Sequence, residues 1–118
     1  ASAGVRTKSV GSPRFNPGSY HNGSVWPMDT GRIAEGLRRH GFVAEAEDLE
    51  ERILHACGSV GALVEFFRGD VDADIRINRQ TVDVKVLGTW RRVEQEPQKT
   101  QGWTVTRLWR IMRRRGLL

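Results

Sequence analysis

Only two residues, Gly41-Phe42, separate two stretches in which apolar side chains recur at helical spacing. A join that short leaves the flanking helices one arrangement, side by side and antiparallel. The first helix is predicted over 24–40, where Ile33, Ala34 and Leu37 form an i, i+1, i+4 stripe. Ser24 is placed to cap it. Pro27 fits its first turn, where the missing N–H would be unpaired anyway, and His40-Gly41 ends it. The second helix is predicted from Val43 to Cys57. Ala46, Leu49, Ile53, Ala56 and Cys57 face one way, and Glu45, Asp48, Glu51 and Arg52 the other. A third helix over 101–115 puts Trp103, Val105, Leu108, Trp109 and Met112 on its apolar face, with arginines opposite.

The remaining segments are loops and one hairpin. Residues 1–23 carry the turn signals Gly11-Ser12-Pro13 and Asn16-Pro17-Gly18, and Phe15 and Tyr20 anchor them as an ordered surface loop. Residues 58–69 are a loop bearing Glu65. Asp74–Asn78 and Thr81–Val86 alternate with period two, so a β-hairpin turning at Asn78-Arg79-Gln80 is predicted, with a polar loop over 88–100. The chain thus reads as one mainly α unit over 1–118: loop 1–23, helical hairpin 24–57, loop and projecting β-hairpin 58–100, closing helix 101–118. Helix, helix, hairpin, helix is too short an order to close a fold by itself.

Composition narrows the class. The 118 residues are 38% hydrophobic and 28% charged, which is globular rather than disordered. No apolar run is long enough to span a bilayer. The first residues lack both an apolar signal-peptide core and an initiator Met, so the expectation is a chain that starts inside a longer protein. The one cysteine, Cys57, excludes an internal disulfide and suits the cytoplasm, the expected location. The net charge of +5 owes much to Arg107, Arg110, Arg113, Arg114 and Arg115. These could hold phosphates, but they close a helix without interleaved stacking aromatics. A solvated face complementing the helix dipole is the favoured reading, and a nucleic-acid partner is not expected.

Two segments carry chemistry. Tyr20-His21-Asn22-Gly23-Ser24-Val25-Trp26-Pro27 packs a phenol, an imidazole, an amide, a hydroxyl and an indole into eight residues. That suits a sugar site, where aromatic faces stack on pyranose rings and polar tips bond hydroxyls. In Leu63-Val64-Glu65-Phe66-Phe67 a lone carboxyl sits in an apolar run. Apolar surroundings favour the neutral form of a carboxyl unless a cation pairs with it, and acid–base cleavage of a glycosidic bond uses such groups. The competing reading is an ion pair between Glu65 and Arg68 or another arginine. His21 and Trp26 are open to sugar contact or to plain structural roles, and Asp29 is accounted for by the N-terminal dipole of its helix. Asp70-Val71-Asp72-Ala73-Asp74 starts like a calcium loop, but Ile75 replaces its glycine and Thr81 its last glutamate, so an EF-hand is rejected. Cys57 is expected to be buried and inert. His21, His40, His55 and Cys57 lack zinc-ligand spacing. No metal or cofactor is expected.

The run Pro13-Arg14-Phe15-Asn16-Pro17-Gly18-Ser19-Tyr20-His21-Asn22-Gly23-Ser24-Val25-Trp26-Pro27 resembles the bacterial amylo-alpha-1,6-glucosidase (glycogen debranching enzyme) family, at the C-terminal end of its catalytic domain. The resemblance continues through Ile33–Phe42, Glu65–Asp70 and Gln98–Val105, in the expected order. It implies part of a six-hairpin α/α toroid. It implies hydrolysis of an α-glucosidic linkage with inversion by two carboxyl groups, on an oligo- or polysaccharide. Glu65 matches the glutamate of the family's Glu-Leu/Phe-Phe-x-Gly motif, which implies the general base. His21, Asn22 and Trp26 match the lining of the sugar pocket, and Trp103 matches the aromatic of the closing helix. The general acid is expected upstream, in the rest of the catalytic domain. Met28 stands where the family commonly has His, and Val64 where Pro usually precedes the glutamate. Related six-hairpin enzymes act on trehalose, glucans and mannosyl compounds.

Two other readings compete with a glycosidase fragment that is inactive alone. One is a non-catalytic carbohydrate-binding remnant using Trp26 and Trp103. The other is a small basic nucleic-acid-binding domain using Arg107 to Arg115. An incomplete toroid is also expected to leave apolar helix faces exposed and to self-associate.

Overall fold

A computed structural model describes residues 1–70 and 78–118. In chain order its elements are α1 (Pro27–Arg39), α2 (Val43–Val60), β1 (Gln80–Val86), β2 (Thr89–Gln95) and α3 (Gly102–Arg114). The fold is mainly helical with a two-stranded antiparallel hairpin. Among the described residues, no helix is long and apolar enough to cross a membrane.

The helical hairpin forms as its short join requires. Gly41, at φ +86°, turns the chain out of α1, and the Phe42 N–H bonds back to the Leu37 carbonyl at 3.0 Å. Helix α2 runs past the expected Cys57 to Val60 and stops at Gly61 in the left-handed region. Helix α1 begins later than expected. Trp26, not Ser24, is its N-cap, and it makes no side-chain capping bond. The Ser24 hydroxyl instead donates to the Tyr20 carbonyl at 2.6 Å, inside the preceding loop.

The faces turned inward differ from the most hydrophobic ones. On α1 the buried set is Pro27, Thr30, Gly31 and Ala34, while Ile33 is exposed. On α3 it is Thr104, Leu108 and Ile111, at i, i+4 and i+7; Trp103, Val105 and Trp109 are exposed. Small side chains let the helices approach. The bare Gly31 receives the stem of Arg107, and Thr104 is buried because its hydroxyl donates to the Val64 carbonyl at 2.8 Å. Ala3, Val25, Ile53, Ala56, Cys57, Val64, Phe67, Leu108 and Ile111 form one core, which joins α2 and α3 to the Glu65 segment, and α1 packs against both helices with its own buried face. Burial pushes the Cys57 thiol up to about 11, so it stays protonated and inert there.

A buried ion cluster locks the same three helices. Glu50 of α2, fully buried, accepts from Arg38 of α1 at 3.1 Å and from Arg114 of α3. Arg107 of α3 bonds Glu35 of α1 at 2.7 Å and holds that carboxyl below the usual carboxylate range. Arg115 reaches Glu51, and Arg113 lies over the Trp109 ring at 5.1 Å. Three of the five C-terminal arginines are thus engaged by carboxylates of the helical body.

The β-hairpin is not where sequence patterning puts it. The turn is Leu87-Gly88, at φ 50° and 83°, and Val86 pairs with Thr89 across it. Two successive positive φ values in a two-residue loop match the twist of a hairpin, and the glycine accepts one at no cost. Asn78-Arg79-Gln80 is therefore no turn, because Gln80 opens β1, and 89–95 is a strand rather than a polar loop. Cross-strand pairs offset the polar composition: Val82 faces Val93, Arg92 bonds Asp83 at 3.1 Å, and Lys85 lies over Trp90. The expected partner strand, 74–78, falls almost wholly outside the described residues. Among the described residues neither strand contacts a helix, so the hairpin projects, as expected.

Candidate active site

The segment carrying Glu65 is clamped on both sides by backbone bonds. Val25 and Phe67 exchange N–H···O bonds of 2.8 and 2.7 Å, the pattern of an antiparallel bridge. On the other side the Glu65 N–H donates to the Gln98 carbonyl at 3.0 Å, and Gln101 N–H donates to Leu63 at 2.9 Å. The neighbours Val64, Phe66 and Phe67 are buried, so Glu65 is fixed at the boundary between core and solvent. Gly69 ends the segment against the N-terminal loop. Its carbonyl accepts from Arg6 Nε at 2.5 Å, and a Cβ there would overlap the Gly23 carbonyl oxygen.

The Tyr20–Trp26 segment folds over Glu65. The Tyr20 hydroxyl donates to Glu65 Oε1 at 2.5 Å. Its ring meets His21, Trp26 and Phe66 edge-on, with centroids 4.5, 4.6 and 5.5 Å away. Trp26 Nε1 donates to the Tyr20 carbonyl at 3.1 Å and to Ser24 Oγ at 3.0 Å, which fixes the turn that presents the phenol. Burial first, then the hydrogen bond and charge of Glu65, push the phenol up to about 12. Tyr20 is therefore a neutral donor at any working pH.

Among the described residues no cation holds Glu65. The Arg68 guanidinium bonds Asp70 at 2.7 Å and the Arg79 carbonyl at 3.1 Å, and among the described residues no ion pair involves Glu65. The expected Glu65–Arg68 alternative is absent there. Glu65 opens instead onto a groove of about 640 Å³ lined by Tyr20, Phe66, Gln80, Val82, Gln95, Glu96 and Gln98.

The other sequence-predicted residues sit at different depths. His21 is exposed and stacks on Trp26, with ring planes 7° apart and centroids 5.9 Å apart. Asn22 is half-buried; its carbonyl accepts from Asn16 N–H and its amide donates to Ser19 Oγ at 3.3 Å, shaping the loop. Trp26 is 6% exposed, closed in behind Tyr20 and His21. Trp103 is 58% exposed at the start of α3, one residue before the Thr104 anchor. Val64, which replaces the resembled family's proline, lies in the core. Sequence reasoning counted the Tyr20 phenol in the sugar-site segment and as a loop anchor but did not tie it to Glu65, and it gave Gln80 and Gln95 no role. Only contacts 45 residues apart join Tyr20 to Glu65, and nothing local announces them.

Glu65, held by a neutral donor, thus faces an open groove whose other walls are aromatic, amide, aliphatic and carboxyl side chains, and the chain is a glycoside hydrolase domain. The family model that matches it, over residues 1–104, is that of the mannosylglycerate hydrolase MGH1-like glycoside hydrolase domain, and the chain belongs to that family. No curated protein and no solved structure matches the chain.

Proposed function

We propose that this chain carries the general base and one wall of the sugar pocket of an inverting glycoside hydrolase that acts on a mannosylglycerate-like glycoside. The observation that carries the reading is the Tyr20–Glu65 hydrogen bond at the edge of an open groove, with no cation paired to the carboxyl among the described residues. Glu65 takes a proton from water as the water oxygen attacks the anomeric carbon. A carboxylic acid on the opposite face, about 6.5–9.5 Å away, protonates the departing oxygen. Tyr20 orients Glu65 without neutralising it. His21 and Asn22 supply polar contacts to the sugar, Trp26 supports them from behind, and Trp103 packs beside the pocket.

In this reading the acid comes from further helical hairpins of the same catalytic domain, completing an α/α toroid in the cytoplasm. The 118 residues alone do not turn over substrate. The family description supports the mannosyl substrate. The Pro13–Pro27 run and Gln98–Val105 favour a second substrate, an α-1,6-linked glucan.

The test is hydrolysis of mannosylglycerate and of an α-1,6-glucan by the full-length protein and its Glu65→Gln variant. The expected result is turnover of mannosylglycerate that falls about a thousandfold in Glu65→Gln, with an unchanged melting curve. Equal turnover by the variant would remove Glu65 from the mechanism. A preference for the glucan would move the second substrate to first.

A further inference from the structure

Gln80 is the first residue of β1, at the open end of the hairpin, and pairs directly with Gln95. It is 8% exposed and lines the groove beside Glu65 and Tyr20. Its Nε2 donates to Gln95 Oε1 at 3.1 Å, while its own Oε1, buried, has no hydrogen-bond partner among the described residues. The next N–H, of Thr81, donates to the Gly18 carbonyl at 2.8 Å, so the amide is held relative to the loop that presents Tyr20.

Buried polar atoms are nearly always paired, and an orphan calls for an explanation. Reversing both amides does not remove it: Gln95 would then donate to Gln80, and Gln80 Nε2 would be the orphan. A hydroxyl both donates and accepts, so it satisfies the position in either orientation. We infer that Gln80 binds a hydroxyl of the glycoside in the groove, next to the bond that Glu65 acts on, with Gln95 as its positioning residue. The β-hairpin is then a part of the binding site that discriminates among sugars by one hydroxyl. The inference rests on the reading of this groove as a glycoside site.

Calorimetric binding to the full-length protein tests it, with methyl α-mannopyranoside, methyl α-glucopyranoside and the monodeoxy derivatives of each as probes. Removing the one recognised hydroxyl is expected to weaken wild-type binding about tenfold, the worth of one hydrogen bond to a site built for it. Gln80→Leu is expected to lose the same factor for the parent glycoside and nothing further for that one derivative. Gln80→Asn, which retracts the amide by one methylene and keeps its polarity, gives the same pattern should the leucine variant fail to fold. Unchanged affinity in the variants, an equal loss across all derivatives, or no binding of either glycoside by the wild type overturns the inference. Because binding is read without turnover, a Glu65→Gln variant that still hydrolyses substrate would sink the general-base assignment and leave the Gln80 result standing.

Discussion

Two glutamates, fifteen positions apart, are treated in opposite ways by this fold. Glu50, where the three helices cross, has no exposed surface and takes hydrogen bonds from Arg38 and Arg114. Glu65, at the groove, has among the described residues one neutral phenol as side-chain donor, and open space beside it. A buried anion between two guanidinium groups is spent on holding helices together, and it cannot reach a substrate. The carboxyl bonded by a neutral hydroxyl keeps its access to the groove. The sequence context marks Glu65, which lies in an apolar run, but hides the burial of Glu50, which lies in an acidic, solvent-like stretch. The tertiary partners are what set the two carboxylates apart.

The contrast predicts unequal costs for equal substitutions. Glu50→Ala leaves two facing cations without their anion and is expected to cost about 3 kcal/mol, read by chemical denaturation. Glu65→Ala is expected to cost under about 1 kcal/mol; similar losses at both positions would break the comparison. Gly69→Ala, which drives a methyl into the Gly23 carbonyl, is expected to cost about 2 kcal/mol and to loosen the Tyr20 loop from the Glu65 segment. Tyr20→Phe removes the one side-chain donor to Glu65 among the described residues. It is expected to cost about 1 kcal/mol and to lower turnover of the full-length protein about tenfold.

The Tyr20 contact also has a pH signature. The fold raises the phenol from about 10 to about 12, so it favours the protonated form. The stability this contributes is present in full below pH 10 and is lost as pH rises through 12. The stability difference between wild type and Tyr20→Phe is therefore expected to shrink over that window in denaturation curves. A difference that grows there would reverse the assigned proton.

Much of the helical framework is legible in the sequence, because Gly41 and the apolar spacing of α2 act locally, whereas the stop of α2 at Gly61 is not among the expectations. The inward faces of α1 and α3 are not. Hydrophobicity ranks Trp103 and Ile33 above Thr104 and Gly31, yet close helix approach and a single Thr104 hydrogen bond decide which side is buried. Ile33, Trp103, Val105 and Trp109 are left exposed. The hairpin was misplaced because period-two alternation extends across 74–86, while the decisive signal is the glycine of a two-residue turn. Glu65 was legible from its apolar frame. Tyr20 and Gln80 were not, because each gains its meaning from a partner brought in by the fold.

The central claim is that Glu65 serves as a base toward water rather than as a nucleophile. Proton NMR of the first product formed by the full-length protein from mannosylglycerate, recorded before mutarotation, tests it most directly. The account predicts a sugar whose anomeric configuration is inverted relative to the substrate. A product of retained configuration would mean a covalent intermediate and would contradict it.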